Sequence, residues 1–260
     1  MKVVLGFCSL LATASAIADT EKKPLELSAE LGLLSISGNS ESTSVISKLD
    51  VKQDFKAWRT AYLIEGLYKK DTVRIENDGE DDTEEEVLSA KKYFASTQAD
   101  YKLDEEYRGL FLFGSYLYDK FSGYEYQATV AAGYSDRLFK TEKQKFDYSI
   151  GPGVAFTKLE DTDVDGSIIE GESEDNPVVR LAFAYLYTFK EGVKFTQDFA
   201  SDVSIDSDEN TKSKAVSAIS AKLNNSLSLK VSYTLMHNSE VPEDIEDTDT
   251  EVAVTIVYSL

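Results

Sequence analysis

The sequence predicts an all-β protein: a transmembrane antiparallel β-barrel of about 12 strands in up-and-down meander order. Three observations carry this expectation. From Leu25 onward apolar and polar residues alternate with period two, with almost no helical periodicity. The alternating segments number twelve, an even count, and their connections switch between tight turns and longer loops. The last segment keeps one apolar face through to Leu260.

Composition narrows the function classes. The chain has 260 residues, 47 acidic against 27 basic, and a formal charge of −20. Such acidity argues against nucleic acid as a partner, because phosphates require neutralisation by Lys and Arg. One Cys removes disulfide frameworks and cysteine zinc sites, and one His removes a multi-histidine metal centre. No run of about 18 apolar residues exists to form a spanning helix. A barrel survives these exclusions, since alternating strands keep the average hydropathy low.

The first element is a targeting segment. Lys2 supplies a positive start, Val3 to Leu11 an apolar stretch too short to span, and Ala16-x-Ala18 a small-residue cleavage site before Asp19. Residues 1–18 therefore read as a signal peptide and 19–260 as the barrel domain. Cys8 leaves with the peptide.

Strands follow in order. The first two fall near 25–37 and 41–55, the second with Lys48, Asp50, Lys52 and Asp54 on one face. The third, near 58–70, opens on Trp58 and carries Arg59 and Glu65 on its polar face. Next come 90–103, 107–119 and 124–139. Leu110-Phe111-Leu112-Phe113 is apolar on both faces, so alternation does not set the register of its strand. Near 145–159, Phe146, Tyr148, Ile150, Val154 and Phe156 oppose Asp147, Ser149, Gly151, Gly153 and Ala155, and Pro152 predicts a local bulge. Near 177–189, Val179, Leu181, Phe183, Tyr185 and Tyr187 oppose Arg180, Ala182, Ala184 and Thr188. The strands near 193–206 and 211–223 bring Asp198, Asp202, Lys212, Lys214 and Lys222. In 227–237, Leu227, Leu229, Val231, Tyr233 and Leu235 oppose Ser228, Lys230, Ser232 and Thr234. Finally, in 249–260, Val252, Val254, Ile256, Tyr258 and Leu260 oppose Glu251, Ala253, Thr255, Val257 and Ser259.

Tight turns are expected at Lys56-Ala57, Asp104-Glu105, Thr141-Glu142, Lys190-Glu191-Gly192 and Asn224-Asn225. Longer loops are expected at 71–89, 160–176 and 238–248. Polar faces would line the lumen. Tyr62, Tyr93, Tyr101, Tyr124, Tyr126, Tyr148, Tyr187, Tyr233 and Tyr258 would face lipid, many of them at girdle positions near strand ends. A secreted antiparallel sandwich is the competing architecture, with the same apolar face as its core.

The final stretch, Val252 to Leu260, resembles the C-terminal signal by which bacterial outer-membrane barrels are recognised by the assembly machinery, although Leu260 replaces the usual Phe. The chain as a whole resembles the salt-induced outer-membrane protein family (domain of unknown function 481). The resemblance is carried by Leu31-Gly-Leu-Leu-Ser-Ile-Ser-Gly-Asn-Ser40, Trp58-Arg59, Phe121 to Thr129, Gly151-Pro-Gly153 and Asp247 to Tyr258. It implies a bacterial outer-membrane location with lipids and lipopolysaccharide as surroundings, and it brings no established biochemical activity.

The chemistry-bearing residues are few. His237 is the one histidine, placed outward near a loop edge, which suits an interface residue better than a catalyst. No glycine-rich phosphate loop opens a helix. The expectation is a protein without enzymatic activity. One motif stands apart: Asp161-x-Asp163-x-Asp165-Gly166-Ser167, then Glu172, follows the calcium-loop spacing. Its candidate ligands are Asp161, Asp163, Asp165, Ser167 through its carbonyl, and Glu172. A solvated acidic loop is the simpler reading, because no helices flank the motif and acids are abundant. Ca²⁺ is the one cofactor the sequence suggests.

Charge is distributed unevenly. Segments 71–86, 160–175, 206–209 and 240–251 hold 27 acids and only Arg74 as a base, a local −26 that leaves +6 for the remainder. The sequence thus supports a narrow cation-favouring channel with acidic external loops, responsive to salt. The alternative is a non-conducting, envelope-stabilising or adhesive barrel that binds divalent cations through those loops.

Overall fold

The computed structural model describes residues 25–36, 41–75, 83–104, 107–164, 167–190, 192–206, 209–241 and 246–260. The signal-peptide expectation therefore lies outside the described residues. The strands are β1 (Glu26–Ile36), β2 (Glu41–Asp54), β3 (Trp58–Ile75), β4 (Thr83–Lys102), β5 (Gly109–Asp119), β6 (Tyr124–Lys140) and β7 (Gln144–Leu159). They continue with β8 (Thr162–Val164), β9 (Ser167–Ile169), β10 (Ser173–Lys190), β11 (Val193–Ser204), β12 (Lys212–Lys222), β13 (Leu227–Asn238) and β14 (Thr248–Ser259).

Twelve of these form a closed antiparallel barrel in which each strand pairs with its sequence neighbours. β8 and β9 stand apart as a small hairpin in the β7–β10 connection. Closure is made by β1 against β14, from Ser28↔Ser259 to Leu31↔Ile256. It leaves no free sheet edge, so every backbone donor in the wall can be satisfied without water.

The faces decide between barrel and sandwich. Outward residues are exposed although apolar: Ile64 58%, Leu112 58%, Val254 57%. Inward residues are buried although polar: Thr129 0%, Asp202 3%, Thr255 3%. In water each exposed aliphatic side chain would forfeit about 1.5–3 kcal/mol of burial; in lipid that surface is matched by the solvent. The protein is a transmembrane barrel of the outer-membrane type.

Girdle aromatics pair on the outer surface. Trp58 packs edge-on to Tyr101 at the short-turn rim, while Tyr93 stacks on Tyr118 and Tyr116 on Tyr126 toward the long-loop rim. Short connections lie at one rim, where Gly192 adopts φ 81°, a value that costs glycine nothing.

Several expectations need correction. The hairpin expected to loop out from 71 is strand for longer: β3 runs to Ile75 and β4 starts at Thr83, giving 18 and 20 residues. About 9–11 residues suffice to cross a bilayer, so these strands project beyond it. The consecutive acids Glu84-Glu85-Glu86 favoured a loop reading, but pairing with Arg74, Val73 and Thr72 of β3 holds them extended.

Pro152 makes no bulge. The β7–β10 register passes through Val179↔Pro152 unbroken, and the irregularities of the β6–β7 pair sit at Tyr124/Tyr126 and Arg137/Phe139. The first of these reverses the facing of Tyr124. Expected toward lipid, it is buried inside at 6% and donates its hydroxyl to the Glu240 carbonyl at 3.0 Å. β5, whose register alternation left open, points Phe111 and Phe113 inward (3% and 6%) and Leu110 and Leu112 outward.

Candidate functional site

The period of two sends every second side chain of the twelve barrel strands into the lumen. Because the lipid face takes the apolar residues, the inward set is rich in acids and bases, and these must pair where water is scarce. Lys230 of β13 donates to Glu30 of β1 at 2.9 and 3.0 Å. Lys92 of β4 pairs with Asp119 of β5 at 2.7 Å.

Some of these side chains reach across the lumen. Glu65 on β3 accepts from Lys48 of the adjacent β2 at 3.0 Å and from Lys214 of β12 at 2.5 Å. β3 and β12 stand five places apart in the twelve-strand ring, so Lys214 forms a chord. Its ammonium also lies 4.9 Å from the Phe94 ring centroid. A second chord joins Arg180 of β10, Asp202 of β11, Thr129 of β6 and Phe113 of β5. The guanidinium donates to Asp202 at 2.6 Å and lies 3.5 Å from the Phe113 centroid, while Thr129 Oγ1 donates to Asp202 at 2.9 Å.

The chord residues Glu65, Lys214, Arg180, Asp202 and Phe113 themselves line a chamber with about 1330 Å³ of empty space, open solvent included, which reaches Asp119, Ser122 and Asn238 toward the long-loop rim. Six basic and six acidic side chains line it. Its charges balance, in contrast to the acidic rim. Glu251 and Asp249 of β14 enter this lining without a hydrogen bond or ion pair among the described residues.

At the opposite rim, Tyr107 precedes β5. Tyr107 is clasped between two guanidinium groups, 5.1 Å from Arg59 and 3.0 Å from Arg137, and its carbonyl accepts from Arg59 at 2.6 Å. Arg137 is anchored in turn by Asp147. Burial alone would push the Tyr107 phenol up, but the hydrogen bond and charge of Arg137 outweigh it and hold the phenol below its ordinary range.

Inward placement of Lys48, Glu65, Asp202, Lys212, Lys214 and Lys230 follows from alternation and is found. The pairing of Glu65 with Lys214 is not readable from sequence, since it depends on ring closure. His237 is on the outer face, with Nδ1 2.9 Å from Thr248 Oγ1. In the candidate calcium motif, the β8–β9 pairs Thr162↔Ile169 and Val164↔Ser167 bring its two ends together. Asp161 Oδ1 accepts from the Gly171 amide at 2.9 Å, and Glu172 is exposed beside it. Asp165 lies outside the described residues, as do the side chains of Asp163 and Ser167.

A family model with the description "Protein of unknown function, DUF481" matches residues 29–260. The chain belongs to this family. It is similar to the "Uncharacterized protein YdiY" of Escherichia coli (strain K12), 29% identical over 240 residues, covering 92% of this chain and 84% of that one. Among solved structures it resembles the translocator domain of the autotransporter NalP from Neisseria meningitidis. That likeness has 9% identity, a TM-score of 0.51 and coverage of 91% of this chain and 88% of the other. It also resembles the NanC porin, at 9% identity and a TM-score of 0.46, covering 90% and 98%. The NalP likeness supports the fold alone. The family's salt-induced character, implied by the sequence resemblance, finds no counterpart in these matches.

Proposed function

We propose that the protein is a narrow outer-membrane diffusion channel that favours cations. The observation supporting this reading is the chamber lined by six acidic and six basic side chains, which reaches Asp249 and Glu251 of the acidic 240–251 segment. An acidic mouth concentrates cations within about a Debye length, ~8 Å at physiological salt, so conduction responds to ionic strength. The chords at Glu65 and Asp202 set the narrowness.

Those same chords favour a second reading, a non-conducting barrel whose acidic loops hold divalent cations beside lipopolysaccharide and stabilise the envelope. Planar-bilayer recording of refolded protein separates the two. Steady openings with a reversal potential toward that of K⁺ under a KCl gradient support the channel; a bilayer that stays silent with inserted protein refutes it. Under either reading we propose export by cleavage after Ala18, insertion guided by the C-terminal strand, and Ca²⁺ at residues 161–172.

A further inference from the structure

Gln127 on β6 is 2% exposed and lines the chamber, yet among the described residues neither its Oε1 nor its Nε2 has a hydrogen-bond partner. Arg180, 8% exposed and lining the same chamber, commits one terminal nitrogen to Asp202, and its Nε has no partner among the described residues. A buried orphan carboxamide is costly, and natural interiors almost always satisfy such groups. Two orphans bordering one open chamber mark a place built for something that hydrogen-bonds there.

The chemistry of the chamber selects what that is. Its six bases and six acids cancel, and the charge of Arg180 is already spent on Asp202 at 2.6 Å. A free anion would be desolvated without net compensation. A neutral solute meets no such cost. A carboxamide offers an acceptor oxygen and, beside it, an NH₂ group with two N–H donors, the complement of neighbouring hydroxyls that give and accept. Arg180 Nε supplies a donor for a third oxygen, while Phe113 and Leu117 give an apolar wall for a C–H face.

We propose that Gln127 and Arg180 form a binding subsite for a neutral polyhydroxylated solute, a small sugar or polyol. The subsite stands whether or not the lumen conducts.

Saturation-transfer NMR on the full chain refolded in micelles tests it, with sucrose, glucuronate and leucine as probes. Sucrose shows saturation transfer, while anionic glucuronate and zwitterionic leucine, whose ionised groups must each be desolvated, do not. Gln127→Leu weakens sucrose by at least about tenfold, from the loss of a buried hydrogen-bonding pair. That variant folds, because an apolar side chain of similar shape removes an orphan amide, and unchanged heat-dependent gel mobility checks it. Absence of a sucrose signal in the parent protein, stronger transfer to glucuronate or leucine, or sucrose binding that survives Gln127→Leu each overturns the proposal. Because binding is read in micelles, its failure is separate from a failure to conduct.

Discussion

Lys214→Met examines the chord across the lumen most directly. The substitution keeps an unbranched apolar stem to lie against Phe94 and removes the ammonium that reaches Glu65 at 2.5 Å. Glu65 keeps Lys48 at 3.0 Å, so no carboxylate is orphaned and the barrel should assemble normally. What changes is the charge met by an ion passing that level. At about 4 Å in water, two unit charges interact by ~1 kcal/mol. Removing the positive charge therefore favours a cation by that amount and disfavours an anion equally. Each is a factor of about five, so the cation-to-anion permeability ratio rises on the order of 25-fold. Reversal potentials under a KCl gradient measure it. Repetition near 1 M salt, where the screening length falls to ~3 Å, should shrink the difference. Equal reversal potentials for parent and variant at low salt, with both conducting, would refute the placement of Lys214 in the ion path.

Arg180→Met should destabilise the barrel by about 3–5 kcal/mol, because buried Asp202 then retains only Lys212 at 3.9 Å and the Thr129 hydroxyl; urea unfolding in vesicles followed by Trp58 emission measures it, with Arg180→Met/Asp202→Leu recovering most of the loss. Gly151→Ala should abolish refolding, since its Cβ would lie 2.1 Å from the Ala132 carbonyl oxygen, while Gly114→Ala, whose Cβ meets nothing nearer than 3.9 Å, should fold as the parent does on a gel-shift assay. In an ultraviolet titration, a positive guanidinium favours the phenolate, so the parent-minus-Tyr107→Phe difference should show one phenol ionising below the usual range near 10, returning upward in Arg137→Met. Calorimetry with Ca²⁺ should give more heat for the parent than for Asp163→Ala/Asp165→Ala if the 161–172 segment holds the ion; equal heats would end that proposal.

Legibility differed from one strand to the next. β14 was readable because Val252, Val254 and Ile256 face lipid while Ala253 and Thr255 are packed inward at 5% and 3%. β5 was not, because Phe111 and Leu112 are equally apolar and only pairing with β4 and β6 assigns Phe111 inward. Tyr124 was misassigned because one extra residue in a strand reverses every facing beyond it, and no residue type announced the irregularity. Pro152 suggested a bulge that the wall avoids. No β6–β7 pair occurs between Ala131↔Gly153 and Tyr134↔Ile150, and there the absent N–H falls beside the close approach of Gly133 and Gly151. Gln127 carried no signal at all: a glutamine on a polar face is ordinary, and its burial without partners arises only when the lumen closes.

The sequence by itself determined the twelve barrel strands, their even number and, β5 and the start of β6 apart, which face meets lipid, because a period of two is a local property and the bilayer imposes one polarity on every outward side chain. It also placed 27 acids against one base in four segments made of the connections and the strand ends beside them. Only the tertiary structure decided that Lys214 reaches Glu65, that Arg180 crosses to Phe113, and that these residues line a charge-balanced chamber together with a carboxamide unpartnered among the described residues. Those contacts join residues 149, 67 and more positions apart in the chain. Their partners are fixed by ring closure and strand stagger, which no local pattern encodes.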